Sequence, residues 1–155
     1  MSKSEEFVKG VWRQEPLIHT PQELTHLAKN LTSDSHPEFG TGSPIGTNEL
    51  GYLAGDKWSA SGECDTACRM VHDYLPHGSH IKEYRKGYDQ NTPHVFGNHF
   101  VHHVPTTEGM YVVDYTHRQF NANAKFPVVE PQDKFEARKS MRHYPKSIDT
   151  DVRTL

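Results

Sequence analysis

Leu24, Leu27, Ala28 and Leu31 recur at the three-to-four-residue spacing of one helix face. In front of them stands Thr20-Pro21-Gln22-Glu23. Thr20 can accept from the third helical N–H, Pro21 suits the first turn, and Glu23 can reach back to close a capping box. The spacing predicts a packing helix over 21–31. A second helical stripe follows in Cys64, Ala67, Cys68, Val71, Tyr74 and Leu75, stopped by Pro76-His77-Gly78. Ser59 or Ser61 can cap it, which puts Cys64 in the first turn. The period then shortens. VFGNHFVHHV over 95–104 and MYVVDYT over 110–116 read as strands, and the turn-rich 105–109 between them has hairpin length. A further helix is expected near 132–142. The stretch 32–57 carries no period and is dominated by Ser, Asp, Pro, Gly, Thr and Asn, so it reads as a long loop, either a functional lid or disordered. It holds no GxxxxGK[ST] pattern, which argues against a phosphate cradle. Helices followed by a hairpin predict an α+β fold, with a central helix packed on a small antiparallel sheet. No repeat or boundary divides the chain, so 1–155 is read as one domain.

Composition narrows the function classes. With 155 residues, 34% of them hydrophobic, and a mean hydropathy of -0.81, the chain supports one economical core. No apolar run reaches the roughly 18 residues of a membrane span. MSKSEEFVKG has no apolar stretch of a secretory signal, so a cytoplasmic location is expected, with signal-free export or delivery left open. The net charge of -3 is mixed along the chain, and no basic patch suggests nucleic acid. The locally basic Lys134, Arg138, Lys139 and Arg142 are interspersed with Asp133 and Glu136, as on a solvated helix face. The two cysteines, Cys64 and Cys68, are four apart on one helix, a poor geometry for a disulfide. Two free thiols suit a reducing compartment.

The candidate chemistry begins at Cys64. A nucleophilic thiol must lose its proton, be reachable, and have donors ready for a developing oxyanion. A helix N-terminus helps with the first and last of these, through its macrodipole and its unpaired N–H groups. Gly62 lets a substrate approach. Glu63 and Asp65 oppose a thiolate, so a histidine partner is required. Cys68, one turn deeper, reads as a small core residue. Of 12 histidines, four fall between 94 and 103. In a hairpin of 95–104 with 110–116, His99 is expected opposite Asp114 or within one residue of it. Asp114 could then hold one imidazole nitrogen and leave the other for Cys64, the logic of nucleophile, base and orienter. A carboxylate inside Tyr-Val-Val-Asp-Tyr-Thr is costly to bury unless it is paired. Because strand side chains alternate faces, His103 shares His99's face and is its main competitor, whereas His102 takes the other.

At these residues the chain resembles a family. Gly62-Glu-Cys64-Asp-Thr-Ala67 is similar to the G-x-C-x-x-A start of the catalytic helix in transglutaminase-like proteins. His99 with Tyr111-Val-Val-Asp114-Tyr-Thr116 resembles their histidine and D-x-T strands, in the same order and with a similar separation of 15 residues. The segment from Asp114 to Phe120, with Pro127-Val-Val after it, is similar to papain-fold toxin and deamidase domains of bacteria and their phages. Val101 stands where the family usually has an aromatic. The resemblance covers about residues 58–130. It implies a papain/transglutaminase-like fold and thioester chemistry on amide bonds by Cys64, His99 and Asp114, without a cofactor. The substrate would be a protein or peptide bearing a glutamine or other amide, and an immunity or inhibitor protein is a conceivable partner. Trp58, Asn98 and Gln119 are candidates for a second oxyanion donor or for substrate binding. Glutamine deamidation is the expected reaction, with peptidase and transglutaminase as alternatives.

Two readings compete. Cys64, Cys68 and His72 form one helix stripe to which His94, His99, His102 and His103 could add metal ligands. No CxxC or HExxH spacing exists, however, and ligands two turns apart diverge, so no metal is expected. A non-enzymatic phage or particle component, or a binding module, would suit the polar loop and charged tail. Such a protein would not need a reactive Cys64.

Overall fold

In the computed structural model, residues 18–32, 62–87 and 97–155 are described. Helix α1 is Pro21–Asn30, and Thr20 closes the expected capping box with Glu23 in both directions. Helix α2 is Cys64–Val71, followed by a 3-10 turn over His72–Tyr74. Strands β1 (His80–Arg85), β2 (Asn98–Thr106), β3 (Gly109–Asp114), β4 (Val128–Pro131) and β5 (Lys146–Thr150) form one antiparallel sheet in the order β4-β3-β2-β1-β5. Helix α3, Gln132–Glu136, and a 3-10 segment, Lys139–His143, stand where a single helix was expected near 132–142. The α+β class is therefore present. Ser59, Ser61 and the loop over 33–57 lie outside the described residues. The N-cap of α2 is Glu63, which makes no side-chain capping bond.

The sheet is covered on both faces, which explains why its central strand is buried almost throughout. On one face, Leu24, Ala28 and Leu31 of the α1 region and Ala67, Val71 and Leu75 of the α2 region pack on Val104, Val113 and Tyr115. The Tyr115 hydroxyl ties α1 down by donating to the Ala28 carbonyl at 2.6 Å. On the other face, Phe135, Met141 and Tyr144 of the C-terminal segment cover Tyr84, Val101, Val112 and Val128. Burial of this order stabilises by about 25 cal/mol per Å² of apolar surface. Pro105, which has no N–H for a ladder, sits beyond the β1 pairing that ends at His80 and His103. The β2–β3 hairpin turns through Thr107 and Glu108, and Gly109 takes a φ of 106° that favours glycine. Among the described residues, no helix is long and apolar enough to cross a membrane.

Candidate active site

Register places His99. His102 pairs with Val113, so continuing the ladder sets Val101 opposite Asp114 and His99 two residues farther on. His99 is thus a diagonal neighbour of Asp114 on the same face, not its direct partner or one residue from it. The diagonal is closed by side-chain length: His99 Nε2 lies 2.7 Å from Asp114 Oδ2, and both residues are only 1% exposed. Asp114 Oδ1 accepts from the Thr116 N–H at 2.9 Å and lies 3.3 Å from its hydroxyl. Six residues after the hairpin turn, the carboxylate is therefore gripped by its own chain.

Cys64 comes from the opposite layer. Helix α2 packs on β2 and brings Cys64 to the strand's first residues, where its Sγ lies 3.8 Å from the Asn98 carbonyl oxygen. The thiol also lies near enough to the His99 ring to favour its charged form, after Asp114. Burial tends to strip His99 of its proton, but the Asp114 carboxylate, and then Cys64, outweigh it and push the imidazole up to about 10. Burial likewise opposes ionisation of Asp114, yet His99 and His117 hold its carboxyl far below the usual carboxylate range. The pair is therefore read as imidazolium and carboxylate. Cys68 differs: burial, then the proximity of Cys64 and Asp114, pushes its thiol well up, as expected for a core residue.

The first N–H groups of α2 have no intrahelical partner, and Glu63 supplies no side-chain cap. They can receive negative charge forming beside Cys64. Gly62 enters the helix at φ 77°, and a Cβ built there meets no described atom within 4 Å. Cys64 itself is buried, 8% exposed, so the space beside Gly62 does not by itself expose the thiol.

The three donor candidates fall differently. Trp58 lies outside the described residues. Asn98 is exposed at the start of β2 and turns its backbone carbonyl, an acceptor, towards the thiol. Gln119 reaches His99: its side-chain amide nitrogen lies 3.3 Å from His99 Nδ1 and 3.4 Å from Thr116 Oγ1. An amide can complement either state of that nitrogen, with N–H towards a bare Nδ1 or its oxygen towards a protonated one.

The sequence reading passed over His117. Its Nδ1 lies 2.9 Å from Asp114 Oδ2, the oxygen that also holds His99, and its Nε2 lies 2.9 Å from Ser140 Oγ. The signal was present as Asp-x-x-His: the Thr116 N–H bonds back to Asp114, and His117 opens a 3-10 segment over His117–Gln119 beside it. Phe120 packs edge-on against both rings, with centroids 4.9 Å from His99 and 5.2 Å from His117. On the outer side of His117 a cleft of about 370 Å³ is lined by Phe120, Asn121, Arg138, Lys139, Ser140 and His143.

Metal-ligand geometry was also sought. His99, Asp114 and His117 bring potential ligand atoms within 4.8 Å of one another. The same atoms make the N···O contacts just described. From the helix stripe, His72 Nδ1 lies 2.9 Å from His102 Nε2, while His99 faces the opposite layer. His94 lies outside the described residues. Neither a family model, nor a curated protein, nor a solved structure matches the chain.

Proposed function

We propose that the chain is a cysteine-dependent acyl-transfer enzyme that deamidates glutamine side chains of a protein target. One observation carries this reading: a thiol in the first turn of an uncapped helix meets a buried histidine whose far nitrogen is held 2.7 Å from a buried aspartate. A buried polar trio of this kind is costly for folding alone, but it suits a nucleophile, its acid–base partner and an orienter. The resemblance to papain/transglutaminase-like domains supports the same assignment.

In the proposed reaction the Cys64 sulfur, its proton passed to His99, adds to the carboxamide carbon. The oxyanion is received by the free N–H groups at the start of α2. His99 returns a proton to the leaving nitrogen, the C–N bond breaks, and ammonia departs from a thioester. Water then gives a proton to His99 and its oxygen attacks the thioester carbon. Collapse releases the glutamate side chain, and the proton goes back to sulfur. The balance is one amide and one water to one acid and one ammonia. Asp114 stays ionised throughout and holds Nε2.

The test is mass spectrometry of candidate protein targets treated with wild-type enzyme or Cys64→Ala. A gain of about 1 Da per site, replacing amide by acid, is expected with wild type only. Cleaved backbone would assign a peptidase, and a loss of about 17 Da with joined chains a transglutaminase. No thiol-dependent change on any target would remove the proposal.

A further inference from the structure

The Asp114 carboxylate has more donors than a three-residue relay requires. Oδ2 faces His99 Nε2 at 2.7 Å and His117 Nδ1 at 2.9 Å, while Oδ1 is held by Thr116. An ionised carboxylate only accepts, so both imidazoles must present N–H to Oδ2. In a neutral ring that places the His117 proton on Nδ1 and leaves Nε2 bare. Ser140 Oγ, 2.9 Å from Nε2, can donate its hydroxyl proton there. Phe120 and Phe135 stand edge-on to the ring, with centroids at 5.2 and 5.5 Å, and fix its plane. Ring, tautomer and carboxylate are thus set by one chain of hydrogen bonds from Ser140 through His117 and Asp114 to His99.

We propose that His117 is a positioning residue, locked by Ser140 in its Nδ1–H tautomer, which shares Asp114 Oδ2 with His99 and so limits how tightly the carboxylate holds the base's proton. This rests on the reading of His99 as the acid–base group. The chemical reason lies in the turnover. After Cys64 attacks, His99 must release its proton to the departing nitrogen. A carboxylate given wholly to His99 would retain that proton, whereas a second N–H on the same oxygen draws off part of its charge. Other groups facing the assembly are Cys64 and Cys68 from α2, Tyr84 from β1, Arg138 and Tyr144 from the C-terminal segment. Arg138 is already engaged by both oxygens of Glu130, and the Tyr84 hydroxyl donates to Glu136, so neither bonds Asp114 directly.

The experiment is long-range proton–nitrogen NMR of the full chain carrying nitrogen-15 histidine, titrated with pH, in wild type, His117→Phe, His117→Asn and Ser140→Ala. In wild type, the neutral His117 ring should show a protonated Nδ1 and a bare Nε2. His117→Phe keeps the ring's shape without the donor, and the His99 midpoint should rise by about one pH unit. His117→Asn places an amide N–H near the lost Nδ1 and should bring the midpoint back towards wild type. Ser140→Ala should release the tautomer and shift His99 upward by less. If His117→Phe fails to fold, the Asn and Ala variants decide the matter. An unmoved His99 midpoint in every folded variant, or a His117 protonated on Nε2 alone, would overturn the proposal. Selective alkylation of Cys64, measured on the same samples, reports separately on the thiol reading: it can survive that outcome, and its absence from wild type would sink the enzyme reading instead.

Discussion

Strand β2 carries three histidines within five residues, and their surroundings make them different chemical objects. His99 faces a buried carboxylate and is pushed up to about 10. His102, on the other face, is driven down to about 3 by burial and then by His72, His80 and His103, and it lies 2.9 Å from His72. His103 shares His99's face, four residues along. Burial and the neighbouring His80 and Lys82 hold it down to about 4, and its Nε2 lies 2.8 Å from the Tyr84 hydroxyl. Burial penalises the cation at all three positions. Only His99 has an anion close enough to reverse the sign, and only His99 is met by a thiol. Histidine content therefore says little about which ring can exchange protons with a substrate; the partner across the hairpin decides it.

The largest effect should come from removing that asymmetry. His99→Ala is expected to slow iodoacetamide alkylation of Cys64 by about 10²-fold or more at neutral pH, whereas His103→Ala leaves the rate within a few-fold. Site-resolved mass spectrometry reads both; the reverse pattern would transfer the base to His103. In the same spectra Cys68, buried and held protonated, should label only on denaturation. Asp114→Asn should come next, at about 10-fold to 10²-fold, because an amide nitrogen facing Nε2 cannot hold the ring with its proton there. A variant as reactive as wild type would show that the carboxylate is only structural.

Stability sharpens the comparison by its sign. His102 and His103 have folded midpoints below the ordinary 6.5. Below pH 6.5 the unfolded chain therefore binds protons that the folded chain refuses. Stability should fall from pH 6.5 towards about 3 to 4, by about 1.4 kcal/mol per pH unit for each proton so linked. His99 runs the other way. Its raised midpoint gives stability that is complete below 6.5 and is lost as pH rises towards about 10. Urea unfolding of wild type and His102→Leu should show the acid slope reduced by about one proton in the variant; an unchanged slope would show that His102 is not held neutral. The smallest effect concerns a helix outside the site. Thr20→Ala should cost about 1 kcal/mol through loss of its cap while leaving Cys64 alkylation unchanged.

Local chemistry was legible in the sequence where it was local in the fold. The Thr20 capping box, the apolar stripe that puts Cys64 in a first turn, and the hairpin around Thr107 and Glu108 each depend on neighbours in the chain. The exact register was not, because a hairpin's offset depends on its turn, and a two-residue turn moved Asp114 to face Val101. His-Ile-Lys-Glu-Tyr-Arg gives a weak strand pattern, since β1 spends Glu83 and Tyr84 on buried polar contacts; β5 has an exposed edge and little apolar content. His117 lay in plain sight, three residues after Asp114. Its meaning depends on Ser140, which is brought to it from 23 residues away by the C-terminal segment.

The hairpin also has a kinetic meaning. His99 and Asp114 are 15 residues apart on two strands joined by a tight turn, so their pairing needs only a short closure. Cys64 reaches the same end of β2 from 34 residues before Asn98, across β1 and the segment that follows it, and it must dock a whole helix to do so. Closure entropy and contact order both place that docking later. His99 and Asp114 can thus meet before Cys64 arrives. Bringing the sulfur to the pair then depends on the docking of a helix rather than on any single segment.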